Sequence, residues 1–202
     1  MRGLIREGAT IFLSHASSTT RKYPYTWEAT RCGETLVGVN TQLPNRLVQK
    51  ALAQKCLPPL ADYTDIKREA MLEKGTRFDF FLEKPGEACF VEVKNVHYQE
   101  EGVALFPDSV TARGRKHLVK LGAWCQAKGQ RAVVIYLVQR DDCHAFDFGA
   151  TFDADYAQEA VRAQKKGVEM YAYAVTLSPQ GVVLKGELPF VGLAAGAKVT
   201  QT

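Results

Sequence analysis

Apolar positions change period several times along this 202-residue chain. Leu43, Leu47, Val48, Ala51 and Leu52 recur at helical spacing and predict a helix over 43–53, with Pro44 near its first turn and Asn40 or Thr41 as its cap. Alternation then takes over, predicting two strands over 76–82 and 89–95 that meet around Pro85-Gly86. A second helix is predicted over 109–128, capped by Asp108 or Ser109 and closed before Gly129. Residues 132–138 are continuously apolar, as in a strand buried on both faces. Strand, helix and buried strand in that order form a βαβ unit. The pattern repeats more weakly as a helix over 153–166, a strand over 168–177, a turn at Ser178-Pro-Gln-Gly181 and a last strand near 182–185. Upstream, 9–14 and 25–30 read as strands around a polar loop at 17–22. The fold class is α/β, a mixed sheet with flanking helices (37–190), preceded by a partial β module (1–36) and followed by a flexible tail (191–202).

The central strand pair carries the chemistry. A symmetric loop at Pro85-Gly86 places Asp79 opposite Glu92 and Arg77 opposite Lys94 on one face. The other face pairs Phe78 with Val93, Phe80 with Val91 and Leu82 with Cys89, so a one-residue slip would bury the charges. Cross-strand carboxylates at about 5 Å repel each other. A hard divalent cation such as Mg²⁺ or Mn²⁺ would relieve that repulsion, and Lys94 would assist an attacking water or stabilise charge on a phosphate. An exposed ladder of ion pairs through Arg77, Asp79, Glu92 and Lys94 accounts for the same spacing. Asp79-x12-Glu92-Val93-Lys94 matches the D-(x)n-(D/E)-x-K pattern of the restriction-endonuclease-like superfamily.

Further residues add to this picture. Arg113, Lys116, His117 and Lys120 share one face of the second helix and would grip a phosphate backbone, although an ordinary solvated face looks the same. Gln139 and Arg140 end the buried strand, where a phosphate contact or an ion pair with Asp141 or Asp142 fits. Lys22, Tyr23, Tyr25 and Trp27 mix basic and aromatic groups, as in surfaces that stack bases, or as in a small buried β core. His15, His97 and His144 read as surface or loop histidines. A net charge of +4 permits a polyanionic partner without requiring one. The five cysteines have no CxxC spacing and read as reduced thiols of a cytoplasmic protein. No signal peptide and no apolar window of about 18 residues is visible, so no membrane is expected.

Several blocks run in order along the chain: Tyr23-Pro-Tyr-Thr-Trp27, Gly38-Val-Asn-Thr41, Leu43-Pro-Asn45, Arg77-Phe-Asp79, Val91-Glu-Val-Lys-Asn95, Gly102-Val-Ala-Leu-Phe-Pro-Asp108, Thr111-x-Arg-Gly114, Lys116-His-Leu118 and Val138-Gln-Arg140. Through them the chain resembles the sugar fermentation stimulation protein A family. The resemblance implies an OB-type β-barrel joined to a nuclease-like PD-(D/E)XK domain, with DNA as partner and a regulatory role in sugar (maltose) metabolism. An active nuclease using Asp79, Glu92 and Lys94 with Mg²⁺ or Mn²⁺ is the alternative. Asn40, Asn45, Glu69, Asp108 and Gln139 accompany the motifs. The opening Gly3-Leu-Ile-Arg-Glu-Gly8 resembles a stretch well inside the N-terminal domain, so the first half of the barrel is expected to be missing. In the wider superfamily the first helix often gives the metal a glutamate; here Asn45 stands in an acid-free helix, with Glu69 as a substitute.

Overall fold

The apolar run at 132–138 lies at the centre of the fold because helices cover both of its faces. The computed structural model describes residues 3–15 and 22–192. The predicted loop at 17–22 and the flexible tail at 191–202 lie largely outside the described residues.

The chain opens with β1 (Ile11–His15), β2 (Tyr25–Cys32) and β3 (Thr35–Gly38), an antiparallel sheet in that order. Its inner side packs Leu4, Val37 and Val39 with Trp27. Helix α1 (Leu43–Ala53) follows. Its N-cap is Gln42, without a side-chain cap; Asn40 acts two residues earlier, its Oδ1 accepting from the Gln42 N–H at 2.9 Å.

A six-stranded sheet carries the rest. Its strands are β4 (Asp65–Glu73), β5 (Thr76–Lys84), β6 (Glu87–Val96), and, beyond the short β7 (Tyr98–Glu100), β8 (Val103–Phe106) and α2 (Ala112–Lys128), β9 (Arg131–Val138). After β10 (Ala145–Phe148) and α3 (Ala154–Lys165) come β11 (Val168–Ser178) and β12 (Gly181–Leu188). The order is β12-β11-β9-β6-β5-β4, parallel at β11/β9 and β9/β6 and antiparallel elsewhere. Strands β10, β8 and β7 form a small separate sheet. Along β9, Val134, Tyr136 and Val138 pack under α2 and α3, while Val133, Ile135 and Leu137 pack toward α1. Burial on both faces is why the run lacks polar alternation.

Helix α2 begins at Ala112, later than the predicted 109. Thr111, not Asp108 or Ser109, is its N-cap, and its Oγ1 accepts from the Gly114 N–H at 3.2 Å. The Thr111 N–H is itself held by Asp153 Oδ2 at 2.8 Å, which fixes the start against α3. At the other end Gly129, with φ 59°, closes the helix in the left-handed conformation that glycine adopts without strain.

Candidate metal and nucleic-acid site

Strand β6 brings Glu92, Lys94 and Asn95 along the middle of the sheet, and β5 brings Asp79 beside them. The β5–β6 ladder follows the expected register through Lys84–Glu87, Leu82–Cys89, Phe81–Phe90 and Phe80–Val91, and there it ends. Beyond that point the Asp79 side chain takes the place of backbone: Val93 N–H donates to Asp79 Oδ2 at 2.8 Å. Asn45 Nδ2, from the first turn of α1, donates to Asp79 Oδ1 at 2.7 Å.

The break changes which way β5 faces. Phe80 and Leu82 pack with Val91 and Val93 toward α1, but Phe78 packs with Phe90 and Leu118 under α2. The uniform apolar face predicted for Phe78, Phe80 and Leu82 therefore does not form. Nor does the Arg77–Lys94 pair. Arg77 pairs across to Met71 on β4, and its Nη1 lies 3.1 Å from Glu69 Oε2. Glu69 sits at the register position opposite Asp79, where the β4–β5 pairing skips, and adopts φ 52°. Its carboxylate is turned to the exposed Arg77, so it does not supply the third acid. Among the described residues no group of three or more His, Cys, Asp and Glu side chains could hold a metal.

Glu92 is 6% exposed. Its Oε1 accepts from Lys94 Nζ at 2.6 Å and from His117 Nδ1 at 2.7 Å; the imidazole N–H is the donor, because a carboxylate can only accept. Both bonds fall on Oε1, leaving Oε2 outside them. The predicted exposed ion-pair ladder is thus replaced by a buried cluster. Burial raises Glu92, yet the bonds from His117 and Lys94 outweigh it and hold the carboxyl below its usual range. Asp79 moves the other way. Burial and the adjacent Glu92 charge push it up, and the Val93 and Asn45 bonds only partly offset them. The two acids are therefore electrostatically coupled.

Asp79 and Glu92 are the side chains that would hold a hard cation here. Asp79 and Glu92 offer carboxylate oxygens, and the Val93 carbonyl shares the strand edge to which its N–H points. Ions that bind through one or two carboxylates and keep several waters match such a sparse site.

The other predicted residues are placed as follows. His117 is buried on Glu92 and does not face solvent in the basic stripe. Its link to Glu92, 25 residues away, has no signal in the sequence. Lys120 is paired with Glu73 at 2.6 Å, while Arg113 and Lys116 are exposed. Arg140 is 6% exposed and grips Asp142 through Nε and Nη2, each at 2.6 Å, with Nη1 on the His97 carbonyl at 2.9 Å. It ties the strand end together and is not available to phosphate. His97, read as a surface or loop residue, does lie in the connection between β6 and β7, but its side chain is only 11% exposed, with Nε2 3.3 Å from Asp108 Oδ2. Gln139 is fully buried; its Nε2 donates to Asn95 Oδ1 at 2.6 Å, and Gly38 N–H donates to its backbone carbonyl at 2.8 Å. Asn40 Nδ2 donates to Glu28 Oε2 at 2.8 Å, tying the helix entry to β2. Lys22 lies over the ring of Tyr23 at 5.5 Å, and Tyr23 and Tyr25 are exposed, whereas Trp27 is packed.

Comparison with known proteins agrees with this architecture. The family described as sugar fermentation stimulation protein RE domain matches residues 42–181, and the SfsA N-terminal OB domain matches residues 1–39. A sugar fermentation stimulation protein homolog of Agrobacterium fabrum is 44% identical over 188 residues, 92% of this chain and 78% of that protein. Its counterpart in Rhodospirillum centenum is 43% identical over 184 residues, 90% of this chain and 78% of that protein. The structure of Pyrococcus furiosus SfsA in complex with Ca²⁺ superposes with a TM-score of 0.83 at 23% identity, covering 90% of this chain and 78% of that one, a likeness of fold. With both family domains matched in order, and with relatives this similar along nine-tenths of its length, the chain belongs to the sugar fermentation stimulation protein family.

Proposed function

We propose that this chain binds DNA and hydrolyses phosphodiester bonds at a divalent cation, Mg²⁺ or Mn²⁺, held by Asp79 and Glu92. The observation that carries the reading is the coupling of these two carboxylates beside Lys94, whose Nζ is 2.6 Å from Glu92. The mutual repulsion of the two acids costs stability, and a bound cation would offset it. The Ca²⁺ in the Pyrococcus furiosus structure supports a divalent ion in this fold. A bound cation would neutralise charge developing on a phosphate. Lys94 supplies a second positive charge, His117 keeps Glu92 ionised and aimed, and Asn45 with the Val93 N–H fixes Asp79. Exposed Arg113, Lys116, Lys22 and Tyr23 are the contacts proposed for DNA.

A second reading, the one the family resemblance implies, is a DNA-binding regulator of sugar (maltose) metabolism whose site does not turn over. The bond locking Lys94 onto Glu92 and the lack, among the described residues, of a third acid favour it. Incubation of labelled single- and double-stranded DNA with Mg²⁺ or Mn²⁺ separates the two. Cleavage abolished by Glu92→Gln and Lys94→Ala supports the nuclease. Salt-sensitive binding without cleavage supports the regulator.

A further inference from the structure

A groove of about 930 Å³ runs over the outer side of α2, between the β4–β5 turn at Gly75-Thr76 and α3. Arg113, Arg115, Lys116, Lys120 and Arg162 line it, against Asp155 and Glu159. Arg115 is paired with Asp155, Lys120 with Glu73, and Arg162 with Glu159. Among the described residues Arg113 and Lys116 carry no such ion pair. These two exposed cations sit one turn or less from His117, which lines the same groove and bonds Glu92 behind it. The groove thus stands one side chain away from the Asp79–Glu92 site.

From this geometry we infer that the groove takes a single-stranded phosphodiester chain and guides it to that site, an inference that rests on the proposed nucleic-acid function and specifies its substrate. Two features argue for a single strand, and a third sets its indifference to bases. A helix that reads a duplex must protrude into its major groove. Here α2 is flanked on one side by the β4–β5 turn, bridged by Lys120–Glu73, and on the other by α3, bridged by Arg115–Asp155. The volume is that of a small-ligand pocket, room for about two or three nucleotides. The lining holds no Phe, Tyr or Trp side chain and its one imidazole is bonded to Glu92, so the groove tracks phosphates and does not stack bases. It discriminates strand form, with no preference between bases.

The test is fluorescence anisotropy with labelled single-stranded DNA, single-stranded RNA and duplex DNA of one sequence, in Ca²⁺, across a salt series. Single strands of either sugar are expected to bind more tightly than the duplex. Arg113→Ala/Lys116→Ala is expected to lower the slope of log K against log salt by about 1.4 for a single strand, two contacts at about 0.7 each. Both residues are exposed, and an unchanged melting curve for the variant separates lost contacts from lost folding. A preference for DNA or RNA alone within the expected slope change identifies the source and supports the groove. Duplex bound as well as single strand, or a slope unchanged in the variant, overturns it. Should Glu92-dependent cleavage persist in that case, the proposed function stands and only the groove falls. Absence of binding to all three strands overturns both.

Discussion

Asp79 Oδ2 accepts the Val93 N–H at 2.8 Å, in the position where a β5 backbone carbonyl would otherwise receive it. The carboxylate is thereby part of the sheet. It ends the β5–β6 ladder at Phe80–Val91 and lets Phe78 turn under α2, where its ring meets His117 at 5.2 Å between centroids. One side chain therefore both sets the strand's direction and presents charge beside Glu92. The site does not sit on a loop; it is built into a break in the core, held from α1 by Asn45 and from α2 by His117.

The two roles of Asp79 separate by substitution. Asp79→Ala leaves the Val93 N–H and the Asn45 amide without their acceptor, a loss of about 1–3 kcal/mol. Asp79→Asn keeps an acceptor for Val93 and removes the charge that faces Glu92. Because burial and Glu92 raise the Asp79 pKa, ionised Asp79 destabilises the metal-free fold. At pH 7 without metal, the Asn variant is expected to melt at or above the wild-type temperature and the Ala variant several degrees below. Both are expected to lose the rise in melting temperature that Mn²⁺ or Ca²⁺ gives the wild type. An Asn variant that melts well below wild type would show that the repulsion is absent.

His117→Ala removes one of the two donors on Glu92 Oε1 and is expected to cost about 1–3 kcal/mol in urea unfolding at neutral pH. The pH dependence has a definite sign. Glu92 is held below its ordinary value of 4.5, so its contribution is fully present above that value and is lost as pH falls through the folded-state pKa. The stability gap between wild type and His117→Ala is therefore expected to narrow below pH about 4.5. A gap that stays constant through that acid range would mean that His117 stabilises through packing on Phe78 alone.

Periodicity made the helices, the buried strand and the register at Phe80–Val91, Leu82–Cys89 legible, because each rests on burial of one face. What it could not show was the turn of β5 at Asp79. That turn comes from a side chain replacing a backbone partner, which leaves no trace in hydrophobic order. Strand β4 was missed for a related reason. As an edge strand it exposes Lys67, Arg68, Glu69 and Met71, and its polar sequence reads as loop. Of the site, Asp79, Glu92, Lys94 and Asn45 were within reach of spacing and motif. The burial of His117 and Arg140 was not, since a histidine or arginine at helical or strand-end spacing looks the same whether it faces solvent or an acid from another element.

The cysteines offer a check on packing that is independent of the site. Burial pushes the Cys89 and Cys143 thiols up to about 12 and raises Cys125, whereas Cys56 is exposed and Cys32 half-buried. Thiolate is the reactive form. At pH 8 a disulfide reagent such as DTNB is expected to modify Cys56 rapidly and Cys32 more slowly, with the other three released only on unfolding. Fast reaction of Cys89 under native conditions would show that the β5–β6 pair opens readily.

The joint between the N-terminal sheet and the α/β domain rests on Gly38 and Gln139. A Cβ added at Gly38 would collide with Gln139 Oε1 and lie 2.9 Å from its Cδ and 3.0 Å from its Cβ. Gln139 cannot swing aside freely: it is fully buried and its Nε2 is bonded to Asn95, while its backbone carbonyl, which takes the Gly38 N–H, holds the two main chains together. Gly38→Ala is therefore expected to destabilise by about 1–3 kcal/mol, the usual result of overpacking a filled site. Gln139→Ala removes the obstructing amide but leaves Asn95, the neighbour of Lys94, without that donor. In a double-mutant cycle the Gly38→Ala penalty is expected to shrink by at least about 0.5 kcal/mol when Gln139→Ala is already present, since residues in direct contact do not add. Strict additivity would place the strain of the added methyl elsewhere and would separate the N-terminal sheet from the strand that carries Lys94.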